Sequence, residues 1–134
     1  MRRLLLLLPL LAGCTQPPAC GAGLAPSVGL TGYFGLAMPG NRQVSPAQWQ
    51  AFQDSELQPR FPAGFTVSEA TGSWRGPEGR IATDPTRVFF VLAPAGQAAA
   101  AQAGLEQAIA AYRHAFQQQS VGLLVQPGCT SGLF

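Results

Sequence analysis

The chain contains no lysine, one histidine, three cysteines and two methionines in 134 residues, and only 10% of its residues are charged. Each scarcity excludes something. The lone His114 has no second ligand four residues to either side, so no metal site is expected around it. Counted from Leu105, His114 falls opposite the apolar stripe of its helix, as a surface residue. All cations are arginines: Arg2, Arg3, Arg42, Arg60, Arg75, Arg80, Arg87 and Arg113. Without Arg2 and Arg3, six arginines face six acids: Asp54, Glu56, Glu69, Glu78, Asp84 and Glu106. A neutral body carries no basic stripe, which excludes a nucleic-acid partner held through phosphates. No phosphate loop, dinucleotide fingerprint or nucleophile elbow is present, so neither a cofactor nor a catalytic residue is expected. Glu56 and Glu69 fall on different elements and form a carboxylate pair only by coincidence.

What is there begins at the N-terminus. Met1-Arg2-Arg3 is a basic head, and Leu4 to Leu11 is an apolar run interrupted by Pro9. That run is far shorter than the roughly 20 apolar residues that span a bilayer. A basic start, a short apolar stretch and a small-residue exit form an export signal. Leu11-Ala12-Gly13-Cys14 resembles a bacterial lipobox, in which the cysteine is acylated and becomes the first mature residue. The resemblance implies a signal peptide over 1–13 and a lipid on Cys14, with palmitate-type chains holding the protein to a membrane. Thr15 in place of aspartate implies an outer-membrane position facing the periplasm, if the source has two membranes. The alternative is simple cleavage that leaves a secreted protein with an odd cysteine. Residues 14–29, rich in Pro, Gly and Ala, read as the lipidated cysteine and a flexible tether, and residues 30–134 as one domain.

Within that domain the spacing predicts a strand over Leu30–Met38, ended by the turn signal Pro39-Gly40-Asn41. Ser45-Pro46-Ala47-Gln48 opens a helix with a capping box and proline in the first turn. Trp49, Phe52 and Leu57 form its apolar side, and Pro59 stops it. Strands follow over Phe65–Arg75 and Thr86–Ala93, joined through Gly76-Pro77-Glu78-Gly79. Ala101, Leu105, Ile109, Tyr112 and Phe116 repeat at helical steps within 97–118, and a last strand covers Val121–Gln126. The order β-α-β-β-α-β predicts an α+β ferredoxin-like sandwich: a four-stranded antiparallel sheet with both helices on one face.

Alternation then assigns faces. Leu30, Phe34, Leu36 and Met38 are placed under the helices, with Val88, Phe90 and Leu92, and with Val121, Leu123 and Val125. The second face is expected to carry Thr31, Tyr33, Ala37, Arg87, Phe89, Val91, Leu124 and Gln126. It is too apolar to stay bare. A second copy, the tether or tail (130–134), or a ligand would cover it. A pocket around Tyr33, Arg87 and Phe89 is the ligand version. At the other end of the sheet Arg42, Trp74, Arg75 and Arg80 offer an anion site of arginine beside tryptophan. Lipidation of Cys14 leaves Cys20 and Cys129, which the topology puts at one end of the sheet. A disulfide between them is expected, two free thiols being the alternative.

Several strings also resemble one family: Tyr33-Phe34-Gly35-Leu36, Trp49-Gln50-Ala51-Phe52, Pro59-Arg60-Phe61-Pro62-Ala63-Gly64-Phe65-Thr66-Val67, Trp74-Arg75-Gly76, and Cys129 near the end. Together they look like a bacterial family of small exported lipoproteins known only as a domain of unknown function. The resemblance implies export and a compact α+β domain, and transfers no catalytic residue. The leading expectation is a non-catalytic binding or structural module of the cell envelope, anchored by its lipid and pairing as a homodimer through the open face. The alternative is a small exported enzyme or ligand carrier around Tyr33, Arg87 and Phe89.

Overall fold

The computed structural model describes residues 19–76 and 78–132. The signal-peptide residues and Cys14 lie outside the described residues. The elements run β1 (Ala25–Gly35), β2 (Ala37–Met38), β3 (Arg42–Gln43), α1 (Pro46–Phe52), β4 (Thr66–Arg75), β5 (Ile81–Pro94), α2 (Ala98–Phe116) and β6 (Gly122–Thr130). The main sheet has the order β4-β5-β1-β6, every pair antiparallel. This is the ferredoxin-like arrangement expected from the element order, with β2 and β3 added as a two-stranded ribbon.

Local chemistry accounts for most element boundaries. Ser45 Oγ accepts from the Gln48 backbone N–H at 3.2 Å, and Gln48 Oε1 accepts from the Ser45 N–H at 2.9 Å. Both halves of the capping box are therefore made. After Phe52 the helix widens into one π turn over Gln53–Leu57, with the Gln58 N–H reaching the Gln53 carbonyl. Leu57 follows Phe52 by five residues, too far round an ordinary helix to share its face. The widened i→i+5 turn brings Leu57 into the core, where it is fully buried. The β2–β3 ribbon turns through Gly40 and Asn41, both with positive φ (75° and 56°). With Met38 paired to Arg42 the loop is the three residues Pro39-Gly40-Asn41, a length whose last position favours the left-handed backbone.

The core lies between the helices and one face of the sheet. Phe34, Trp49, Phe52, Tyr112 and Phe116 form a contiguous aromatic cluster, with Phe34 and Tyr112 centroids 5.0 Å apart and Phe52 and Tyr112 4.9 Å apart. Most of these pairs meet edge to face, the arrangement the ring quadrupoles prefer. A second group joins Phe61 and Phe65 to Phe89. The α2 stripe packs here through Leu105, Ala108, Tyr112 and Phe116.

Two expectations are corrected. The first strand begins at Ala25, so five residues assigned to the tether form part of the sheet. The inward face of β5 is Phe89, Val91 and Ala93, not Val88, Phe90 and Leu92. The register explains the second: Leu30 pairs with Val91 and Gly32 with Phe89, so these share the helix side with Leu30 and Phe34. Every residue from Val88 to Ala93 is apolar, so alternation carried no information there. On β6, Val125 has the expected parity but is exposed, because it sits on the edge strand.

The kink between β1 and β2 is held from three sides. The Tyr112 hydroxyl donates to the Gly35 carbonyl at 2.8 Å. The Ala37 N–H donates to Asp84 Oδ1 at 2.8 Å, and Gln118 Nε2 donates to the Ala37 carbonyl at 2.6 Å. Burial of Tyr112 pushes its phenol pKa well above the ordinary tyrosine range; the Asp84 carboxylate adds to this and Arg87 opposes it. A raised folded-state pKa means the native protein holds this proton more tightly than the unfolded chain. The resulting stability is complete below the unfolded value near 10 and is lost as pH climbs above it. Tyr112→Phe is therefore expected to be less stable at neutral pH but to show a flatter decline above about pH 10. Denaturant midpoints across that window check it; parallel alkaline slopes in the two proteins would refute the assignment.

Candidate functional site

The face of the sheet turned away from the helices is built from alternate residues of all four strands. Cross-strand pairs set its layout: Gly29 beside Leu92, Thr31 between Phe90 and Leu124, Tyr33 between Val88 and Gly122. On β4, Thr66 and Ser68 continue these rows beside Phe90 and Val88. Tyr33 is 44% exposed, and Phe90, Leu92 and Leu124 are each 39% exposed.

Two glycines shape the surface. A Cβ on Gly29 would lie 3.3 Å from Phe90 Cε2, and one on Gly122 would lie 3.2 Å from Tyr33 Cδ2. Each aromatic ring thus leans onto a glycine in the neighbouring strand. Beside Phe90 and Leu92 the face holds a shallow hollow of about 270 Å³, lined also by Gly64 and Thr66.

The face is also nearly free of charge. Alternation puts Glu69, Arg75 and Arg87 on the other side. Asp84 is the one acid with the open-face parity, and its carboxylate is engaged by the Ala37 N–H. An apolar, aromatic-bearing face whose one acid is engaged by the backbone is costly to leave against water.

The residues proposed for a pocket do not meet. Tyr33 pairs with Val88, whereas Arg87 pairs with Phe34 and Phe89 with Gly32. Tyr33 therefore points to the open face, and Arg87 and Phe89 to the helix side. Phe89 is fully buried in the core. The Arg87 side chain, mostly buried, makes an ion pair with exposed Glu69 across the β4–β5 ladder. It borders a shallow cleft of about 350 Å³ with Leu36, Thr71, Pro85 and Thr86. The arginines at the other end are likewise engaged locally. Arg42 donates to the Pro39 carbonyl and to Gln117 Oε1. Arg75 donates to the Gly79 carbonyl, and Arg80 pairs with Glu78 at 2.9 Å. Trp74, 53% exposed, has the opposite strand parity to Arg75 and so does not stack on it. Glu56 is held by Arg60 at 2.8 Å, which separates it from Glu69 in partner as well as in element. His114 is exposed.

The reading of alternation missed Val88, Phe90 and Leu92 as open-face residues. The cross-strand glycines Gly29 and Gly122, which give the large rings room, were the available signal.

Cys20 and Cys129 form a disulfide that spans 109 residues of sequence. It ties the segment before β1 to the end of β6, where Pro26 pairs with Cys129.

A ferredoxin-like α+β sandwich, with one apolar sheet face that no helix covers among the described residues, defines the class of protein. Residues 31–131 match the family described as a protein of unknown function, DUF3574, and the chain belongs to that family. No curated protein matches it. Among solved structures it is similar to a phage SAM lyase in complex with S-methyl-5'-thioadenosine, with 12% identity and a TM-score of 0.58 over 86% of this chain and 95% of that one. The apo form of a phage SAM lyase aligns at 10% identity and a TM-score of 0.53, over 89% and 98% of the two chains. CutA from Synechococcus elongatus PCC7942 aligns at 15% identity and a TM-score of 0.52, over 80% and 81%. These likenesses show the shared fold.

Proposed function

We propose that this protein is a lipid-anchored module of the bacterial cell envelope that works by binding, without catalysis, through its open sheet face. The observation that carries the reading is that face itself: Tyr33, Phe90, Leu92 and Leu124 exposed on a surface free of unengaged charge. The Leu11-Ala12-Gly13-Cys14 string supports the anchor, with acyl chains on Cys14 supplying the two membrane signals stable attachment takes. A second copy of the chain is the fitting partner. A face without unengaged charge meets its own image without like-charge repulsion, and a two-fold interface asks for that self-complementarity.

The test uses a chain that begins at Thr15. Its mass in solution is expected to be that of a dimer. Leu124→Asp would place a charge opposite its own copy and is expected to give a monomer without loss of fold. A monomeric parent at high concentration would refute the second copy as partner. For the full-length protein, mass spectrometry of the membrane-extracted chain is expected to show Cys14 acylated; an unmodified Cys14 would overturn the anchor.

A further inference from the structure

We infer that the cleft beside Arg87 binds the carboxylate of a small organic acid, with Glu69 as the group the ligand displaces. This site lies on the helix side of the sheet, so it depends neither on the open face nor on the lipid anchor. Arg87 is the one charged residue of β5 with helix-side parity; Phe89, Val91 and Ala93 share that parity and are buried. Its neighbour on β1, Phe34, is fully buried. The guanidinium thus stands at the rim of the core, on a side chain only 17% exposed. A guanidinium keeps its proton, so the cost of this position is not relieved by losing the charge.

The partner supplied by the chain itself matches it poorly. Glu69, opposite Arg87 on β4, is 82% exposed. A carboxylate so open to water gives an ion pair of little net value, and holding it in place costs side-chain freedom. Arg87 presents several N–H donors in a planar fork, and among the described residues Glu69 is its one ion-pair partner. Most of β4 is exposed, so the outer column of the sheet lacks a helix over it. The space beside Arg87 amounts to about 350 Å³, near the lower end of the range for ligand sites.

The walls of the cleft define the ligand. Leu36 and Pro85 are apolar, and Thr71 and Thr86 complete the lining. The Thr86 hydroxyl already donates to the Asp84 carbonyl, which leaves Arg87 as the anchor for an anion. One cation calls for one negative charge. Glu69 lines the same cleft, and Asp84, which acts with Arg87 on the Tyr112 phenol, stands nearby. These two acids would repel a dianion such as phosphate. A carboxylate carries a single charge, fits the guanidinium fork in two parallel hydrogen bonds, and can rest an apolar body on Leu36 and Pro85. When it does so, the exposed Glu69 side chain moves into water at little cost.

Titration of the full-length protein in a non-ionic detergent with benzoate, and with uncharged benzamide as control, tests the site at constant ionic strength. The readout is the chemical shift of the Arg87 Nε–H, assigned by its loss in Arg87→Lys. Benzoate is expected to give a saturable shift and benzamide none. Glu69→Gln, at an exposed position, removes the competing carboxylate and is expected to tighten benzoate binding roughly three- to fivefold, the factor such an ion pair is worth. Arg87→Lys keeps the charge without the fork and is expected to weaken binding, read from the backbone amides of Thr71 and Thr86. No saturable shift in either the parent or Glu69→Gln, an equal response to benzamide, or unchanged or weaker binding in Glu69→Gln would each overturn the inference. None of these results bears on the oligomeric mass that tests the open face.

Discussion

Replacing Cys20 and Cys129 together by serine is expected to cost about 4–5 kcal/mol of stability, the loop-closure entropy of a cross-link between residues 109 apart in sequence. A domain of this size has roughly 5–15 kcal/mol in total, so the loss is a large fraction of it. The structure says where it falls. β6 is an edge strand that pairs with β1 alone, and Pro127 near its end removes a backbone donor. Its residues are mostly exposed, so little burial holds it in place. The disulfide clamps the end of that strand to the segment entering β1. Without it, β6 is expected to fray first, before the helices or the β4–β5 hairpin respond. Hydrogen exchange along 122–130, compared with 81–94, measures this directly. Uniform loss of protection across the whole sheet would refute local fraying. In the unmodified protein, iodoacetamide is expected to label neither cysteine until a reductant is added. Labelling of both without reductant would exclude the bond.

Phe34→Ala is the second large effect. Phe34 is fully buried on β1 and touches Trp49, Phe52 and Tyr112 at centroid distances of 5.0 to 5.7 Å. It is the point where the sheet meets both helices. Truncation removes a whole ring and leaves a cavity that the rigid strand cannot close, at a cost of about 3–5 kcal/mol. A matching truncation at Phe90 on the opposite face removes a ring that is already part exposed, and is expected to cost far less. Urea unfolding of the two variants side by side checks the face assignment. Equal losses would mean that Phe90 belongs to the core and not to the open face of the sheet.

That contrast also marks what could be read without coordinates. Ser45 and Gln48 announced the start of α1, and both of their hydrogen bonds are present. Leu105, Tyr112 and Phe116 announced the buried stripe of α2. Pro39-Gly40-Asn41 marked the turn between β2 and β3. From the order of elements followed the four-stranded antiparallel sheet and the placing of Cys20 and Cys129 at one end of it. Each of these rests on residues close in sequence, or on a topology with few alternatives.

The candidate site was less legible, for a definite reason. A strand signals its inward face only when polar and apolar residues alternate, and Val88 to Ala93 is apolar throughout. One residue of register exchanges every side chain between faces. That exchange moved Phe89 into the core and Phe90 into the open, and it separated Tyr33 from Arg87. The start of β1 was hidden in the same way. Ala25 to Gly29 has the composition of a linker and becomes strand because β5 and β6 supply its partners on both sides.

The sequence by itself determined both helices, the order of the elements, and the equal count of arginines and acids once Arg2 and Arg3 are set aside. Local hydrogen bonding, helical periodicity and charge are properties of short stretches of chain. Only the tertiary structure decided which side of β5 faces water, that Leu57 reaches the core through a π turn, and that the open face is aromatic and without free charge. Those depend on cross-strand register and on what lies above each residue, which the neighbours in the fold impose.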